Sequence, residues 1–171
     1  MRDMIPTWVD GDLVAVEKLE AHRRGLLHKA VSVFVLCGTE VLIQRRARGK
    51  YHTPGLWANT CCTHPHWGEA PDACARRRLE EELGLSGLPL EHRDRVTYRA
   101  DVGGGLIEHE SVDIFVSRVE ERIRPAPNPS EVMATEWVDM AELAASTRRA
   151  PEVYTPWLRI YMDRHAEQIF A

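Results

Sequence analysis

The stretch Ile107 to Val116, reading IEHESVDIFV, carries two acids where a buried strand would ordinarily carry apolar residues. Side chains alternate along a strand, so Glu108 and Glu110 share a face with Val112, Ile114 and Val116. The opposite face, with His109, Ser111, Asp113 and Phe115, is mostly polar. The apolar face is the core face, so both carboxylates turn inward. Like charges buried that close together cannot both stay ionised without a cation, and an unpaired buried carboxylate is costly. A metal ion is the economical counter-charge. The competing reading lets the strand emerge at Ser111 and leaves both acids in water.

Nitrogen and sulfur donors are available nearby in the pattern. His22, His28 and His64 fall near strand ends or in a long loop, and with the two carboxylates would make an N and O donor set. Such a set suits Mn²⁺, Fe²⁺ or Zn²⁺. The loop NTCCTHPHWGE places Cys62 two residues before His64, where a thiol could serve as acid, base or nucleophile beside a metal. A structural zinc site built from Cys61, Cys62, His64 and His66 is the alternative. Structural zinc sites usually space a cysteine pair by two to four residues and repeat it downstream, and this loop does neither.

The elements that must position these groups are legible in outline. Residues 30–36 read as a buried strand, Gly38 as a turn, and residues 41–44 as a second strand. The basic stretch Arg45, Arg46, Arg48 and Lys50 follows. Pro54, Gly55, Pro65 and Gly68 punctuate residues 51–70 too heavily for regular structure, which predicts a long functional loop. The segment APDACARRRLEEELG predicts a helix with Pro71 in its first turn, Asp72 at the positive end and Gly84 as C-cap. Ala75, Leu79 and Leu83 form its buried stripe. Two strands over 93–100 and 107–118, joined through Gly103 to Gly105, precede a proline-rich loop at 125–129. A short strand at 136–138 and a closing helix over 156–169 complete the chain. Strands interleaved with helices predict an α/β fold with a mixed sheet flanked by helices, and no boundary divides the 171 residues into more than one domain.

Composition narrows the function classes. A net charge of −4 argues against a nucleic-acid binder. No run is long and apolar enough to span a membrane, and the opening MRDMIPTWVDGDL lacks the apolar core of a secretory signal. The four cysteines crowd the first half without a disulfide pattern, as expected of a cytoplasmic enzyme with reduced thiols. No partner stripe is visible, so a monomer is the default expectation.

Five ordered segments then carry a resemblance: RRARGKYHTPGLWANTCCTHP, RRRLEEELGL, YRADVGGGLIEHE, SEV followed by Trp137, and TPW. On these the chain resembles the type I isopentenyl diphosphate isomerases of the Nudix superfamily, from about Lys18 to Trp157. The family implies a Nudix-type α/β/α sandwich. Glu81 and Glu82 fall at the paired glutamates of the Nudix box, with Leu79, Arg77 and Glu69 also in place. Arg78 stands where the hydrolases carry Glu, and Thr63 where they carry Gly. That departure trades a metal ligand for a cation able to hold a diphosphate intact, which favours the isomerases over a Nudix pyrophosphohydrolase of nucleoside diphosphate derivatives.

The resemblance implies that Cys62 and Glu110 are catalytic, and that His22, His28, His64, Glu108 and Glu110 hold one divalent ion, Mn²⁺ or Zn²⁺. It implies that Glu82, with the backbone carbonyl of Cys62, holds Mg²⁺ bridging to the diphosphate. Lys18, Arg46, Lys50 and Arg78 would contact that group, and Tyr98 and Trp157 the hydrocarbon. His22 and His28 are six apart, one residue closer than the resemblance leads one to expect of bacterial members. The chemistry expected is the shift of a double bond, with a proton given to one carbon and another taken from its neighbour. Glu110 is expected on the donating side and Cys62, as thiolate, on the accepting side, although the order is not fixed by the sequence.

Overall fold

The computed structural model describes residues 3–171. An N-terminal hairpin, β1 (Met4–Val9) and β2 (Asp12–Glu17), leads into a short helix α1 (Lys18–Arg24). The long strand β3 (Leu27–Cys37) and β4 (Glu40–Arg46) follow, then two very short strands, β5 (Trp57–Ala58) and β6 (Cys61–Thr63). Helix α2 (Pro71–Leu83) precedes the hairpin of β7 (Glu91–Gly103) and β8 (Leu106–Val119), and β9 (Val132–Asp139) runs into α3 (Met140–Arg149). The chain closes with α4 (Pro156–Ile160), a π-helical turn at Tyr161–His165 and α5 (Ala166–Phe170).

β3 is the axis of the mixed sheet. It pairs in parallel with β8 along its whole length, and antiparallel with β1, β6 and β4 in turn along its other edge. Apolar side chains cover both faces. Val31, Val33, Leu42 and Phe115 pack against the α2 stripe of Cys74, Ala75, Leu79 and Leu83. Phe34, Leu36, Ile43, Val112 and Ile114 pack against Leu143, Trp157, Leu158, Tyr161 and Ile169 from α3 and the closing helices. This is the expected helix–sheet–helix layering.

The ends of α2 explain its placement. Pro71 occupies the first turn, and Gly84 at φ 63° ends the helix while its N–H reaches Glu80 O at 2.9 Å. Leu85 N bonds Leu79 O at 3.2 Å, and Ala126 and Asn128 return to bond the carbonyls of Leu83 and Glu82. The register of α2 on the sheet is therefore pinned at the end that carries Glu82.

Several elements differ from the sequence reading. Residues 51–70 are not wholly irregular, because β5 and β6 pair with β4 and β3. The strand at 136–138 begins already at Val132, and the closing helix is broken by the π-helical turn. The second face of β8 is polar but largely covered, since Asp113, Phe115 and Ser117 are all buried. The N-terminal hairpin, α1 and α3 had no expectation attached to them.

Candidate active site

Pairing alone sets the first row of the site. His28 on β3 lies opposite Glu110 on β8, which lies opposite Tyr98 on β7. Three neighbouring strands thus present an imidazole, a carboxylate and a phenol on one face. Glu108 stands two residues before Glu110, and the two acids are only 3% and 4% exposed. The strand does not emerge at Ser111, and the inward reading of both acids is what the fold adopts. Tyr98 Oη lies 2.6 Å from Glu108 Oε2 and 2.8 Å from Glu110 Oε1. One hydroxyl proton cannot serve both acceptors at once.

Histidines close over the acids. His22, on the last turn of α1, is fully buried and reaches the cluster beside His28 and His64 despite its shortened spacing. His28 Nε2 lies 3.4 Å from Glu110 Oε2, His64 Nε2 lies 3.1 Å from the same oxygen, and His22 Nε2 lies 3.7 Å from Glu108 Oε1. The tautomers of two of them follow from their other nitrogens. His22 Nδ1 sits 2.7 Å from Lys18 O, and His28 Nδ1 sits 2.8 Å from Leu26 O. A carbonyl only accepts, so each Nδ1 carries the proton and each Nε2 presents a lone pair to the cluster. His28 Nε2 is buried without a hydrogen-bond partner. An orphaned lone pair on His28 and further imidazole nitrogens facing two buried acids are what a divalent ion requires, so the residues present fit one.

Electrostatics point the same way. Burial, reinforced by His22, lowers the His28 pKa to about 4, and burial with His22 and His28 lowers that of His64, so both rings stay neutral. Burial and the charge of Glu108 push Glu110 well above the usual carboxylate range. Burial works against Glu108 too, but its contacts with Glu110, His22 and His52 hold it low. Two carboxyls of opposite tendency, sharing one tyrosine, bear a single negative charge between them unless a cation arrives.

The thiol comes from the other edge of β3. Cys62 on β6 is paired with Ser32, and its side chain lines the same cavity of about 330 Å³ as Glu108, Glu110, Tyr98 and Trp157. Its S–H donates to Asn59 Oδ1 at 2.7 Å. The Asn59 amide cannot turn round, because its Nδ2 donates to Val33 O and Cys61 O at 3.0 and 3.1 Å. Ser32 Oγ stands 3.5 Å from the sulfur and 2.8 Å from Tyr161 Oη. Burial raises the thiol's pKa, and the acceptor at Asn59 agrees with it. The thiolate expected of Cys62 is therefore corrected: this environment favours the protonated thiol.

Adjacent residues of a strand point to opposite faces, and this removes the structural-zinc alternative. Cys61 Sγ turns away to donate to Glu82 Oε2 at 3.2 Å, and His66 is exposed. All four cysteines are free.

The cationic residues line the cavity, and all but Arg46 have a carboxylate partner. Lys18 Nζ lies 3.2 Å from Asp3, and Lys50 Nζ lies 2.5 Å from Glu131 Oε2. Arg78 lies 2.7 Å from Glu82 Oε1 and 3.3 Å from Glu131. Arg46 sits 5.3 Å from the Trp157 ring and donates to His52 O at 3.2 Å. Glu82 is 3% exposed, and its second oxygen also accepts from Gln44 Nε2 at 3.1 Å. Arg77, by contrast, pairs with Glu69 at 2.7 Å and with Glu81 at 3.2 Å, tying the loop to the helix.

Sequence reasoning missed His52, Ser32, Asn59, Tyr161 and Glu131 as parts of this site. His52 is 4% exposed and its Nε2 lies 2.7 Å from Glu108 Oε1, yet nothing in its spacing sets it apart. Glu131 belongs to the SEV segment, whose residues carry no spacing signal of a role.

Comparison with known proteins agrees with this geometry. The model of the NUDIX domain matches residues 26–158. A protein of Dinoroseobacter shibae named isopentenyl-diphosphate Delta-isomerase is 64% identical over 170 residues, spanning 99% of this chain and 97% of that one. A protein of the same name from Cereibacter sphaeroides is also 64% identical, over 99% of this chain and 96% of its own. Among solved structures, DR0079 from Deinococcus radiodurans superposes with a TM-score of 0.77 at 18% identity, covering 94% of this chain and 98% of that one. The MutT NUDIX hydrolase from Burkholderia pseudomallei gives 0.62 at 19% identity, over 81% and 98%. At those identities the structures speak to the fold alone. This chain therefore belongs to the NUDIX family, in the branch whose members are named isopentenyl-diphosphate Delta-isomerase.

Proposed function

We propose that this protein is an isopentenyl-diphosphate Delta-isomerase, interconverting isopentenyl and dimethylallyl diphosphate. The observation that carries the proposal is the cluster of His22, His28, His64, Glu108 and Glu110, three of which, His64 and the two acids, line the cavity that Cys62 also lines. The reaction adds a proton to the terminal alkene carbon, which leaves the positive charge on the tertiary carbon, and removes a proton from the methylene on that carbon's other side. It is redox-neutral and needs an acid and a base. Cys62 and Glu110, from different strands, are those two groups.

A divalent ion, Mn²⁺ or Zn²⁺, on the five side chains would supply the positive charge that keeps the Glu108 and Glu110 carboxyls oriented. Glu82, with the carbonyl of Cys62, would hold Mg²⁺ against the diphosphate. Lys18, Arg46, Lys50 and Arg78 bind the anionic end of the substrate, and the two lysines and Arg78 leave their present carboxylate partners to do so. Tyr98 holds the acid that faces the alkene. The indole of Trp157 offers a π-face to the developing tertiary cation, worth about 1–2 kcal/mol when desolvated. Exclusion of water by the closing helices keeps that cation from being trapped as an alcohol. The protein works as a cytoplasmic monomer. Among the described residues no helix is long and apolar enough to cross a membrane.

The test is direct. The protein incubated with isopentenyl diphosphate and Mg²⁺ should yield dimethylallyl diphosphate, with no phosphate release from nucleoside diphosphate derivatives. Hydrolysis without isomerisation would reverse the assignment.

A further inference from the structure

We propose that His52 is a positioning residue, which fixes Glu108 through a ring N–H and ties it to Arg46. The inference deepens the metal-site reading above and rests on it. His52 is outside the five-donor set, yet no other histidine contact to either acid is as short: its Nε2 lies 2.7 Å from Glu108 Oε1, against 3.7 Å for His22.

Its tautomer is set by the opposite nitrogen. His52 Nδ1 lies 2.9 Å from Thr53 Oγ1 and 3.4 Å from the Arg46 guanidinium. A guanidinium has only hydrogens to offer, so Nδ1 is bare and the proton of the neutral ring sits on Nε2. His22 and His28 show the reverse, with Nδ1–H on a backbone carbonyl and Nε2 free. A nitrogen that carries a proton cannot ligate an ion. The three rings therefore divide between two with a bare Nε2 and one whose Nε2 carries the proton; that N–H makes no hydrogen bond in this geometry, and its 2.7 Å approach to Glu108 Oε1 acts as a charge–dipole contact.

The ring has little freedom to do otherwise. Trp157 packs edge-on at 5.5 Å between centroids, Tyr51 lies at 4.1 Å, and the His52 carbonyl takes a hydrogen bond from Arg46 at 3.2 Å. One residue thus touches both the carboxylate of the ion cluster and a cation assigned to the diphosphate. His52 and Tyr51 also separate the site from a second cavity of about 630 Å³, so a small residue at 52 would join the two. The informative variants keep the volume: H52L fills the space without a donor, and H52Q restores an N–H.

Mn²⁺ affinity is measured by competition with a chromogenic chelator, alongside melting temperature without metal, KM and kcat. H52L should bind Mn²⁺ about 10–100-fold more weakly, the loss typical of an outer partner of a ligand, and raise KM as Arg46 loosens. H52Q should stay within about threefold of wild type. Wild-type affinity in H52L would overturn the proposal. Equal losses in H52L and H52Q would overturn it too, by making His52 a ligand. Nitrogen-15 NMR of the Zn²⁺-loaded wild type needs no variant: a protonated Nε2 at His52 supports the assignment and a protonated Nδ1 refutes it. Wild-type Mn²⁺ binding without isomerase turnover would sink the functional reading and leave this one standing.

Discussion

His28 and Glu110 are direct cross-strand neighbours in the parallel pairing of β3 and β8, with Nε2 3.4 Å from Oε2. A shift of one residue in that pairing would send every side chain of β8 to the other face. The position of the acid therefore depends on the whole hydrophobic register of the sheet.

Cys62→Ala and Glu110→Gln should each lower kcat by at least about 10³-fold, within the range lost with a general acid or base. Cys62→Ala should leave metal content and melting temperature nearly unchanged. Turnover close to wild type in both would remove these two residues from the catalytic role.

Chelation should abolish activity and lower the melting temperature. At a free ion concentration 100 times Kd, bound metal stabilises by about 2.7 kcal/mol, and that contribution is lost with the ion. In the chelated protein, Glu108→Gln should be neutral or stabilising, because one of two facing carboxyls is removed. Thermal scans with and without chelator would show this, and a chelator-insensitive wild type would count against an ion at the site.

Glu69 and Arg77 predict a pH dependence. The bidentate hydrogen bond from Arg77 overcomes partial burial and lowers the Glu69 pKa to about 2. Because the folded pKa is depressed, the stabilisation is fully present above about pH 4.5 and disappears as pH falls towards 2. The pair is partly exposed, so about 1 kcal/mol is the expected size. Glu69→Gln should flatten the stability profile between pH 4.5 and 2 in urea titrations, and an unchanged slope would contradict this.

Gly84→Ala should destabilise by about 1–3 kcal/mol. The position has φ 63°, and a Cβ would meet Ala126 Cβ and O at 3.0 Å. Since Glu82 lies two residues before, substrate affinity should fall as well. A variant as stable as wild type in denaturant melts would show that the 126–128 loop gives way freely.

The closing helices should become slower to exchange when substrate binds. Trp157 and Tyr161 are 2% and 1% exposed, and Tyr161 begins a π-helical turn, a feature often found at functional sites. Residues 155–165 are expected to gain amide protection on addition of a substrate analogue. Identical exchange with and without it would mean that this segment is a static wall.

Local chemistry and periodicity made much of this protein readable in one dimension. The inward turn of Glu108 and Glu110 followed from strand alternation, α2 from Pro71, its apolar stripe and Gly84, and the presence of Cys62 and His64 at one cavity from their place in one loop. These features depend on neighbours a few residues away. Resemblance then joined the distant pieces, including His22, whose spacing alone would not have linked it to Glu110.

Other features exist only because the chain folds back on itself. Asn59 faces the sulfur of Cys62 with an acceptor because its amide nitrogen is held by carbonyls of β3 and β6. Burial favours the proton on the thiol and that contact gives it an acceptor, and no pattern in the loop encodes either. Likewise His52 sits among prolines and glycines, yet it reaches Glu108 across 56 positions because β4, β8 and the closing helix meet there. Side-chain direction is a local property, whereas a buried group's protonation state is set by whatever the rest of the fold brings against it.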